Sequence, residues 1–350
     1  MKKLFYLLFA MLFIQSCSID DDDPEPIFPK GLGKGFYVVN QGGFTAGNAS
    51  LSFFNYDTAK MTNNVFYKLN NAPLGDVAQS MTFVGDYAYI VINNSGLIYI
   101  IDAQSGYFLN KIVGLTSPRY YLPIDNQKAY ISDFIDKGIT VVNPNNLQIQ
   151  GVIQTGKSTE NMVLIGTKVF AANWSQYNQT GLNNTVQVID AAMDKLVDSI
   201  QVVKEPNSMV VDKNNKLWVL CSGGYMNEEI PAIHCINPDN LEIIKTIYFA
   251  GNELSPEHLT INGTGDTLYY LDNYSVYRMT INDTQLPAEA FIPSGNRFYF
   301  TMGVDPNNSQ IVVTDAGNYV QNGHIYRFTP AGVMIDSAQV GIIPGFIGYN

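Results

Sequence analysis

Positive charge is scarce in this sequence. Its 350 residues include 20 Lys and Arg against 31 Asp and Glu, which gives a formal net charge of −11 and a pI near 4.6. Proteins that bind nucleic acid neutralise phosphates with a basic surface stripe, and the chain has no such stripe. The composition therefore excludes nucleic acid as the expected partner.

Long apolar runs are also missing. The longest apolar stretch, Leu4 to Ile14, follows Lys2 and Lys3 at the start of the chain. It is too short to cross a bilayer, which needs about 20 apolar residues. A basic start before a short apolar core is typical of a secretory signal. We therefore expect residues 1–16 to be a signal peptide.

Cysteine is rare, and one of the three, Cys17, comes directly after this apolar core. A cysteine at this place resembles the lipobox of bacterial lipoproteins, in which the thiol is acylated and the chain is cut just before it. Gln15 departs from that pattern, because a small residue is more usual there. The resemblance implies a lipid anchor on Cys17, and an ordinary signal peptide with a chance cysteine is the alternative.

Residues 17–35 form an acidic, proline-rich segment, with Asp20 to Asp23 followed by Pro24 to Pro29. Repelling carboxylates and prolines favour an extended tether over a packed segment. Ser18 with the acidic run resembles the export signal of surface lipoproteins in one Gram-negative phylum of gut anaerobes. This resemblance implies an outer-membrane protein, lipid-anchored and exposed at the cell surface, and the alternative is a tether that faces the periplasm.

The other two cysteines, Cys221 and Cys235, lie at a strand exit and at the entry of the following strand. A hairpin could bring them opposite each other, and an exported protein meets an oxidising compartment. The sequence leaves two outcomes open here, a disulfide or two unpaired buried thiols.

A long helical period is absent, which excludes folds built from strand–helix–strand units. A unit of short strands recurs instead, at intervals of roughly 40 to 50 residues. The aromatic or apolar residues that align its first strong strand are Tyr37, Tyr89, Tyr130, Phe170, Trp218, Tyr269 and Val312. The polar exits of the same strands are Asn40, Asn93, Asp133, Asn173, Ser222, Asp272 and Asp315.

Four short strands in about 45 residues, repeated, are the signature of a β-propeller blade. Residues 36–350 divide into seven units, so we expect an all-β, seven-bladed β-propeller with four-stranded antiparallel blades. The first unit lacks an opening strand, whereas Pro344 to Tyr349 is an opening strand with nothing after it. We therefore expect the C-terminal strand to close the ring as the innermost strand of the first blade, which removes the open edges.

The strand exits and the strand endings VID at 188–190 and INPDNLEIIKTI at 236–247 resemble the YncE-like seven-bladed propellers. With the acidic lipoprotein tether, the chain is similar to surface propellers of gut anaerobes that capture cobalamin. The resemblance implies a binding protein, not an enzyme and without a cofactor of its own. It would deliver a corrinoid to a TonB-dependent transporter of the outer membrane.

In a propeller, the loops between second and third strands and the loops between blades emerge on one face around the channel. Here these loops are rich in amides, hydroxyls and aromatic rings, which can hydrogen-bond amide-bearing or sugar-like ligands and stack on flat ones. The predicted ligand-binding residues are Asn40, Gln79, Asn93, Arg119, Tyr120, Asp133, Phe134, Asn161, Asn173, Trp174, Asn207, Tyr225, His258, Asp272, Tyr274, Arg297, Tyr299 and Asp315.

Turn capping is the alternative role for the Asn and Asp residues among them, since both cap turns by bonding their own backbone. Turn chemistry does not require a large ring beside the Asx residue, which leaves Trp174, Tyr225, Tyr274 and Tyr319 as stronger candidates. The strand aromatics Tyr89, Tyr130 and Trp218 are expected to pack between blades.

Two other functional classes remain as alternatives. A glycan- or protein-binding module of an uptake complex would use the same face. A calcium-dependent lactonase or lyase would need carboxylates such as Glu160, Glu257, Asp272 and Asp315 to converge at the channel. The histidines lie in separate units without ligand spacing, so no metal site is predicted from them. No Gly-x-Ser-x-Gly nucleophile motif occurs.

Overall fold

The computed structural model describes residues 31–174 and 183–349, so the predicted signal peptide, Cys17 and most of the tether lie outside the described residues. The described residues form seven antiparallel sheets. Their one helix is α1 (Val65–Asn70), and no helix in this part of the chain is long and apolar enough to cross a membrane. The predicted seven-bladed propeller is confirmed.

The strands follow the blades in chain order. Blades I and II contain β1 (Gly35–Asn40), β2 (Ser50–Asn55), β3 (Lys60–Thr62), β4 (Ala78–Val84), β5 (Tyr87–Ile92), β6 (Leu97–Asp102) and β7 (Phe108–Val113). Blades III and IV contain β8 (Pro118–Asp125), β9 (Lys128–Asp133), β10 (Gly138–Val142), β11 (Ile149–Gln154), β12 (Met162–Ile165), β13 (Lys168–Ala172), β14 (Thr185–Asp190) and β15 (Lys195–Gln201). Blades V and VI contain β16 (Pro206–Val211), β17 (Leu217–Cys221), β18 (Ala232–Ile236), β19 (Ile243–Tyr248), β20 (Glu257–Ile261), β21 (Thr267–Asp272) and β22 (Ser275–Thr280). Blade VII contains β23 (Tyr299–Val304), β24 (Ile311–Asp315), β25 (Asn322–Phe328) and β26 (Met334–Ile342), and the last strand is β27 (Pro344–Tyr349).

The ring closes through the C-terminal strand, as predicted. β27 pairs antiparallel with β1, so blade I has the order β27-β1-β2-β3. The innermost strands contact one another around the whole channel, in the order β27, β4, β8, β12, β16, β20, β23 and back to β27. The hydroxyl of Thr314 in blade VII also donates to the carbonyl of Pro344, at 2.8 Å. Because this pairing joins the two ends of the array, β1 is not left with an open edge.

Blade VI departs from the four-stranded plan, since its sheet contains only β20, β21 and β22 among the described residues. The chain after β22 makes one isolated bridge, between Val276 and Ile292. Pro287 and Pro293 lie in this segment. Proline has no N–H to give to a strand ladder, which explains why a continuous fourth strand does not form there.

The hydrophobic pattern of each strand follows from its place in the blade. The second strands are buried throughout their apolar stretches because a neighbouring blade covers each face. Each hydrophobic cluster joins two adjacent blades, and the cluster that contains Phe36, Val312 and Ile347 joins blade VII to blade I. The exposed outer strands of blades II to V each bury one isoleucine, namely Ile112, Ile153, Ile200 and Ile247.

The strand aromatics Tyr89, Tyr130 and Trp218 are buried, which confirms their predicted role in packing between blades. Burial requires their polar atoms to find partners. The indole N–H of Trp218 donates to Asp212 at 2.9 Å, and the hydroxyl of Tyr130 donates to Asp194.

Cys221 and Cys235 are free, buried thiols. The register of β17 and β18 pairs Cys221 with Ala232 and Cys235 with Trp218, so the two cysteines are not opposite each other. Burial raises the pKa of both thiols, that of Cys235 to about 11. Of the two outcomes that the sequence left open, the structure therefore has the unpaired thiols.

Candidate functional site

Most blades have a β-bulge at the start of their innermost strand. In blade II, Ala78 pairs with Ile92 and Ser80 with Val91, so Gln79 is an extra residue without a partner position. Equivalent irregularities occur at the start of β8, β16, β20 and β23. A bulge bends the strand and redirects a side chain, and bulges are common beside functional sites.

Blade IV achieves the same result just before its innermost strand. The N–H of Glu160 donates to the carbonyl of Ala172, and the N–H of Ala172 donates to the carbonyl of Asn161, both at 3.0 Å. Two residues therefore face one, as in a bulge. We call the end of the channel where the innermost strands begin the channel mouth.

The redirected side chains surround a cavity of about 640 Å³ in the central channel. A volume of this size is typical of sites for small molecules. The predicted ligand-binding residues that line this cavity are Gln79, Arg119, Tyr120, Phe134, Asn161, Trp174, Asn207 and His258. The repeat thus brings loop residues from blades II to VI together at one place.

Arg119 and Glu160 form a buried ion pair at the channel mouth. The Nε atom of Arg119 lies 2.7 Å from Oε2 of Glu160, and its Nη2 atom lies 2.7 Å from Oε1. The two side chains are only 12% and 4% exposed. Burial acts to lower the pKa of Arg119, but the adjacent Glu160 carboxylate outweighs burial, so the pKa is raised and the guanidinium stays charged.

Two aromatic rings flank this ion pair. The guanidinium carbon of Arg119 lies 5.0 Å from the ring centre of Phe134 and 5.7 Å from that of Trp174. The two rings lie 5.7 Å from each other. These distances are within the range of cation–π attraction. We call Arg119, Glu160, Phe134 and Trp174 the rim cluster.

Tyr120 and His258 add polar groups to the cavity wall. Burial, with the Glu160 charge nearby, raises the pKa of the Tyr120 phenol, so its hydroxyl remains a neutral donor. Burial lowers the pKa of His258, although Glu257 opposes that shift. The His258 ring lies 3.3 Å from the hydroxyl of Thr301. The wall therefore combines the Arg119–Glu160 ion pair and the carboxyl group of Glu257 with neutral hydrogen-bonding groups.

The polar residues at the exits of the second strands of blades I to IV do not line the cavity. Their side chains form hydrogen bonds with other residues around the channel mouth. Asn93 donates to the hydroxyl of Ser117 at 2.8 Å, and Asn173 donates to the side chain of Gln187 at 2.9 Å. Asn40 donates to Ser52 at 3.0 Å.

Asp133 shows the same use of a strand-exit carboxylate. It accepts hydrogen bonds from the backbone N–H groups of Ser117, Ile135 and Asp136. Asn40, Asn93, Asp133 and Asn173 are all buried. Asp133 caps its own turn through Ile135 and Asp136, which is a role that Asp often takes. The amide groups of the three Asn residues bond outside their own turns, to Ser52, Ser117 and Gln187.

Three further predicted residues, Asp272, Tyr274 and Tyr299, line a second pocket beside the channel mouth. Arg297 stacks on Tyr326, with the guanidinium carbon 4.3 Å from the ring centre.

The remaining two predicted residues lie outside both cavities. Asp315 accepts from the backbone N–H of Gly317 at 2.8 Å, and Tyr225 is an exposed side chain in the loop between β17 and β18. Cys17 and the loop residues 175–182 that follow Trp174 lie outside the described residues.

The sequence reasoning missed part of the cavity wall. Phe300, Thr301 and Phe346 line the cavity, and none of them was predicted. The signal that could have found Phe300 is its place in the repeat, two residues before the Met302 of an innermost strand, as Gln79 stands two before Met81. Phe346 belongs to the closing strand, which the repeat alignment does not include.

No group of three or more His, Cys, Asp or Glu residues that could hold a metal ion occurs in residues 31–174 and 183–349. His234 is buried inside blade V, where its Nδ1 atom lies 3.0 Å from the hydroxyl of Thr246 and its Nε2 atom accepts from the N–H of Val203 at 3.2 Å. Burial lowers the pKa of His234 to about 4.

This histidine predicts a loss of stability in mild acid. The unfolded chain takes up the proton near the ordinary pKa of about 6.5, whereas folded His234 does so only near pH 4. The free energy of unfolding should therefore fall by about 3 kcal/mol between pH 7 and pH 4 through this group. Urea unfolding at several pH values would measure the slope, and His234→Gln should show a smaller one. Equal slopes for the two proteins would contradict the assignment.

A family model described as a domain of unknown function, DUF5074, matches residues 34–342. The chain belongs to this family. The matched range contains every strand from β1 to β26 and ends just before β27. No curated protein matches the sequence significantly.

Several solved structures resemble the DUF5074 propeller. A quinoprotein alcohol dehydrogenase-like protein from Bacteroides thetaiotaomicron has a TM-score of 0.72 at 14% identity, covering 91% of this chain and 79% of its own. A functionally unknown protein from Desulfotomaculum acetoxidans has a TM-score of 0.66 at 15% identity, covering 91% and 99%. The β-propeller domain of Cps50 (Swd1) from Myceliophteria thermophila has a TM-score of 0.61 at 12% identity, covering 77% and 88%. At such identities the similarity shows the fold alone.

Proposed function

We propose that this protein is a ligand-binding propeller that holds a small molecule at the channel mouth. The observation that carries the proposal is the rim cluster, in which Glu160 holds Arg119 beside the rings of Phe134 and Trp174. A charge held beside two rings at the wall of a cavity offers a stacking surface and a hydrogen-bond donor at the same place. Glu160 engages Nε and Nη2 of Arg119, while the Nη1 group carries further N–H donors.

Our specific proposal for the ligand is cobalamin or a related corrinoid. Its flat ring would stack on Phe134 and Trp174, and its rim of amides would pair with Arg119, Gln79 and Tyr120. Cobalamin is larger than the ligands that a cavity of about 640 Å³ encloses. It would therefore lie across the channel mouth, with only part of it inside.

We further propose that the protein acts at the cell surface. The lipobox-like Cys17 and the acidic tether suit a lipid anchor at the outer membrane. A propeller on a tether of this kind could pass a captured corrinoid to a TonB-dependent transporter. This step rests on residues 1–35 and on the resemblance to cobalamin-capturing surface propellers.

Trp174→Ala is expected to weaken cobalamin binding at least tenfold, because it removes one of the two stacking rings. Isothermal titration calorimetry of wild type and variant measures the change. Tyr107→Ala is the matched control, since Tyr107 is an exposed aromatic residue in the turn between β6 and β7, outside the channel cavity. No heat with cobalamin or its precursors in the wild type would refute the ligand. Unchanged binding in both Trp174→Ala and Phe134→Ala would refute the site.

A glycan is the second candidate ligand, because the same pair of rings and amides suits a sugar face. Binding on a glycan array without any corrinoid binding would favour it. The calcium-dependent lactonase or lyase gains no support from the described residues, since Glu160 is engaged by Arg119 and no group of metal ligands converges there.

A further inference from the structure

A second pocket of about 600 Å³ lies beside the channel mouth, between blades VI and VII. We call it the side pocket. It shares only Glu257 and Phe300 with the channel cavity. Its other lining residues come from the loop before β20, the turn after β21, the start of β23 and the loop after β24. It is therefore a neighbouring site with walls of its own.

Asp272 stands in the side pocket with an unsatisfied carboxylate oxygen. The residue is 7% exposed, and its Oδ1 atom is buried without a hydrogen-bond partner among the described residues. A buried acceptor without a donor is costly. Asp133 occupies the equivalent strand exit in blade III, where three backbone N–H groups satisfy it. The orphan oxygen of Asp272 therefore marks the place of a missing donor.

The charges around the side pocket favour a cation. Glu253 and Glu257 line it together with Asp272. Burial raises the pKa of Asp272 and the Glu253 charge adds to that shift, while the backbone amides of Asn273 and Ser255 oppose it. A positive ligand would relieve this crowding of carboxylates.

The basic groups nearest to these carboxylates do not neutralise them. His258 lies 3.7 Å from a carboxylate oxygen of Glu257, but burial lowers its pKa, which favours the neutral ring at pH 7. The Arg297 guanidinium stacks on Tyr326 and bonds to the Tyr299 hydroxyl at 3.4 Å. The pocket therefore keeps an excess of negative charge.

Aromatic rings form the outer wall of the side pocket. Tyr274 meets Phe298 edge to face at 5.2 Å, and Phe300 meets Tyr319 edge to face at 5.6 Å. Tyr274, Phe298 and Tyr319 are 46–50% exposed. Ring faces attract cations, and rings beside carboxylates are a common way to bind ammonium groups.

Two of these aromatic residues, Tyr274 and Tyr319, have a left-handed backbone conformation, which is unfavourable for residues with a side chain. Asn273 and Tyr274 form the two-residue turn between β21 and β22, with φ values of 43° and 59°. Tyr319 has a φ of 62°. Glycine is the usual residue at the second position of such a turn, because a side chain is strained there. A tyrosine at this position is unfavourable for the turn, so its presence is consistent with a role for the ring.

We propose that the side pocket binds an organic cation through a primary ammonium group. The ammonium N–H would donate to Oδ1 of Asp272, and the rings of Tyr274 and Tyr319 would cover the adjacent carbon chain. Three features of the wall support this assignment. The unpaired Oδ1 atom lacks a hydrogen-bond donor, and the carboxylates attract a positive charge. The exposed rings can pack against an apolar carbon chain. The site stands beside the proposed channel site and does not depend on which ligand the channel takes.

The probes that test this proposal are n-butylammonium and its neutral counterpart n-butanol, titrated into ¹⁵N-labelled protein and followed by NMR. The cation should shift the amide signals of residues 253–255, 257 and 272–275, and the alcohol should bind at least tenfold more weakly. Tetramethylammonium, which has no N–H, should bind more weakly than n-butylammonium. Equal binding of cation and alcohol, or no cation binding at all, would overturn the proposal.

Two variants locate the site. Asp272→Asn should weaken n-butylammonium binding about tenfold or more, because it removes the negative charge and replaces one of the two acceptor oxygens with an NH2 group. Tyr274→Gly should weaken it as well while leaving the melting temperature unchanged or higher, because glycine suits the turn. Asp239→Asn, an exposed carboxylate in blade V, is the charge-matched control and should bind as the wild type does. Unchanged binding in Asp272→Asn and Tyr274→Gly would refute the site even if a cation binds elsewhere.

Discussion

Truncation after Ile343 is expected to abolish cooperative folding of the propeller. The removed strand pairs with β1 at five positions, and Ile347 is buried in the cluster between blades VII and I. At about 1 kcal/mol for each backbone hydrogen bond and about 2 kcal/mol for a buried isoleucine, the loss is on the order of 5–10 kcal/mol. The whole stability of a domain is about 5–15 kcal/mol. Removing this strand also leaves β1 with an unpaired edge and removes the packing of β27 against β4 and β23.

Thermal unfolding followed by circular dichroism measures this effect. The truncated chain should show no sharp transition, or should aggregate on expression. Ile347→Val is the graded control, since it removes one methylene from the same strand and should cost about 1 kcal/mol. A soluble truncated chain that unfolds cooperatively near the wild-type temperature would show that the ring does not close through β27.

Glu160→Gln should be the most destabilising single substitution at the channel mouth. It leaves the Arg119 guanidinium, which is 12% exposed, without its charge partner. Breaking a buried ion pair by removing one member costs about 3–5 kcal/mol, because an uncompensated charge remains buried. The same substitution should weaken ligand binding, since Arg119 would no longer be held beside Phe134 and Trp174.

A double-mutant cycle separates the two effects. Arg119→Met with Glu160→Gln removes both charges, so it should recover much of the lost stability while ligand binding stays weak. Denaturant unfolding and calorimetry on the four proteins give the two readouts. If Glu160→Gln is as stable as the wild type, the ion pair does not hold the rim cluster in place.

The blade architecture could be predicted because its signals are local. Each unit repeats the same sequence of short strands and turns, and the missing first strand together with the spare segment from Pro344 to Tyr349 indicated the closure. Blade VI shows the limit of this reasoning. Its fourth strand is interrupted where Pro287 and Pro293 remove N–H donors, and a repeat alignment gives a proline no special weight.

The site was only partly predictable, because the role of a strand-exit residue depends on its neighbours in space. Asp133 and Asp272 occupy the same place in their units. Oδ1 of Asp133 accepts from Ile135 and Asp136 in its own four-residue turn, whereas Oδ1 of Asp272 has no partner among the described residues and lies in the side pocket. The turn after Asp272 has only two residues, Asn273 and Tyr274, so the two cases differ in turn length, which an alignment of the strands does not weigh.

The bulges explain why residues of the loops between blades reach the cavity. Gln79 and Asn207 line it because each is an extra residue at the start of its strand. In a regular strand with period-two patterning, their side chains would point in another direction. Gln79 and Asn207 could be predicted from their place in these loops, whereas the bulges that direct their side chains required the register.

Cobalt anomalous scattering from crystals of the protein grown with cobalamin tests the central claim most directly. We expect one strong cobalt peak over the channel mouth. The corrin ring should stack against Phe134 and Trp174, with one of its amides within hydrogen-bond distance of Arg119. A cobalt peak on the opposite face of the propeller, or no cobalt peak in crystals grown with cobalamin, would contradict this expectation.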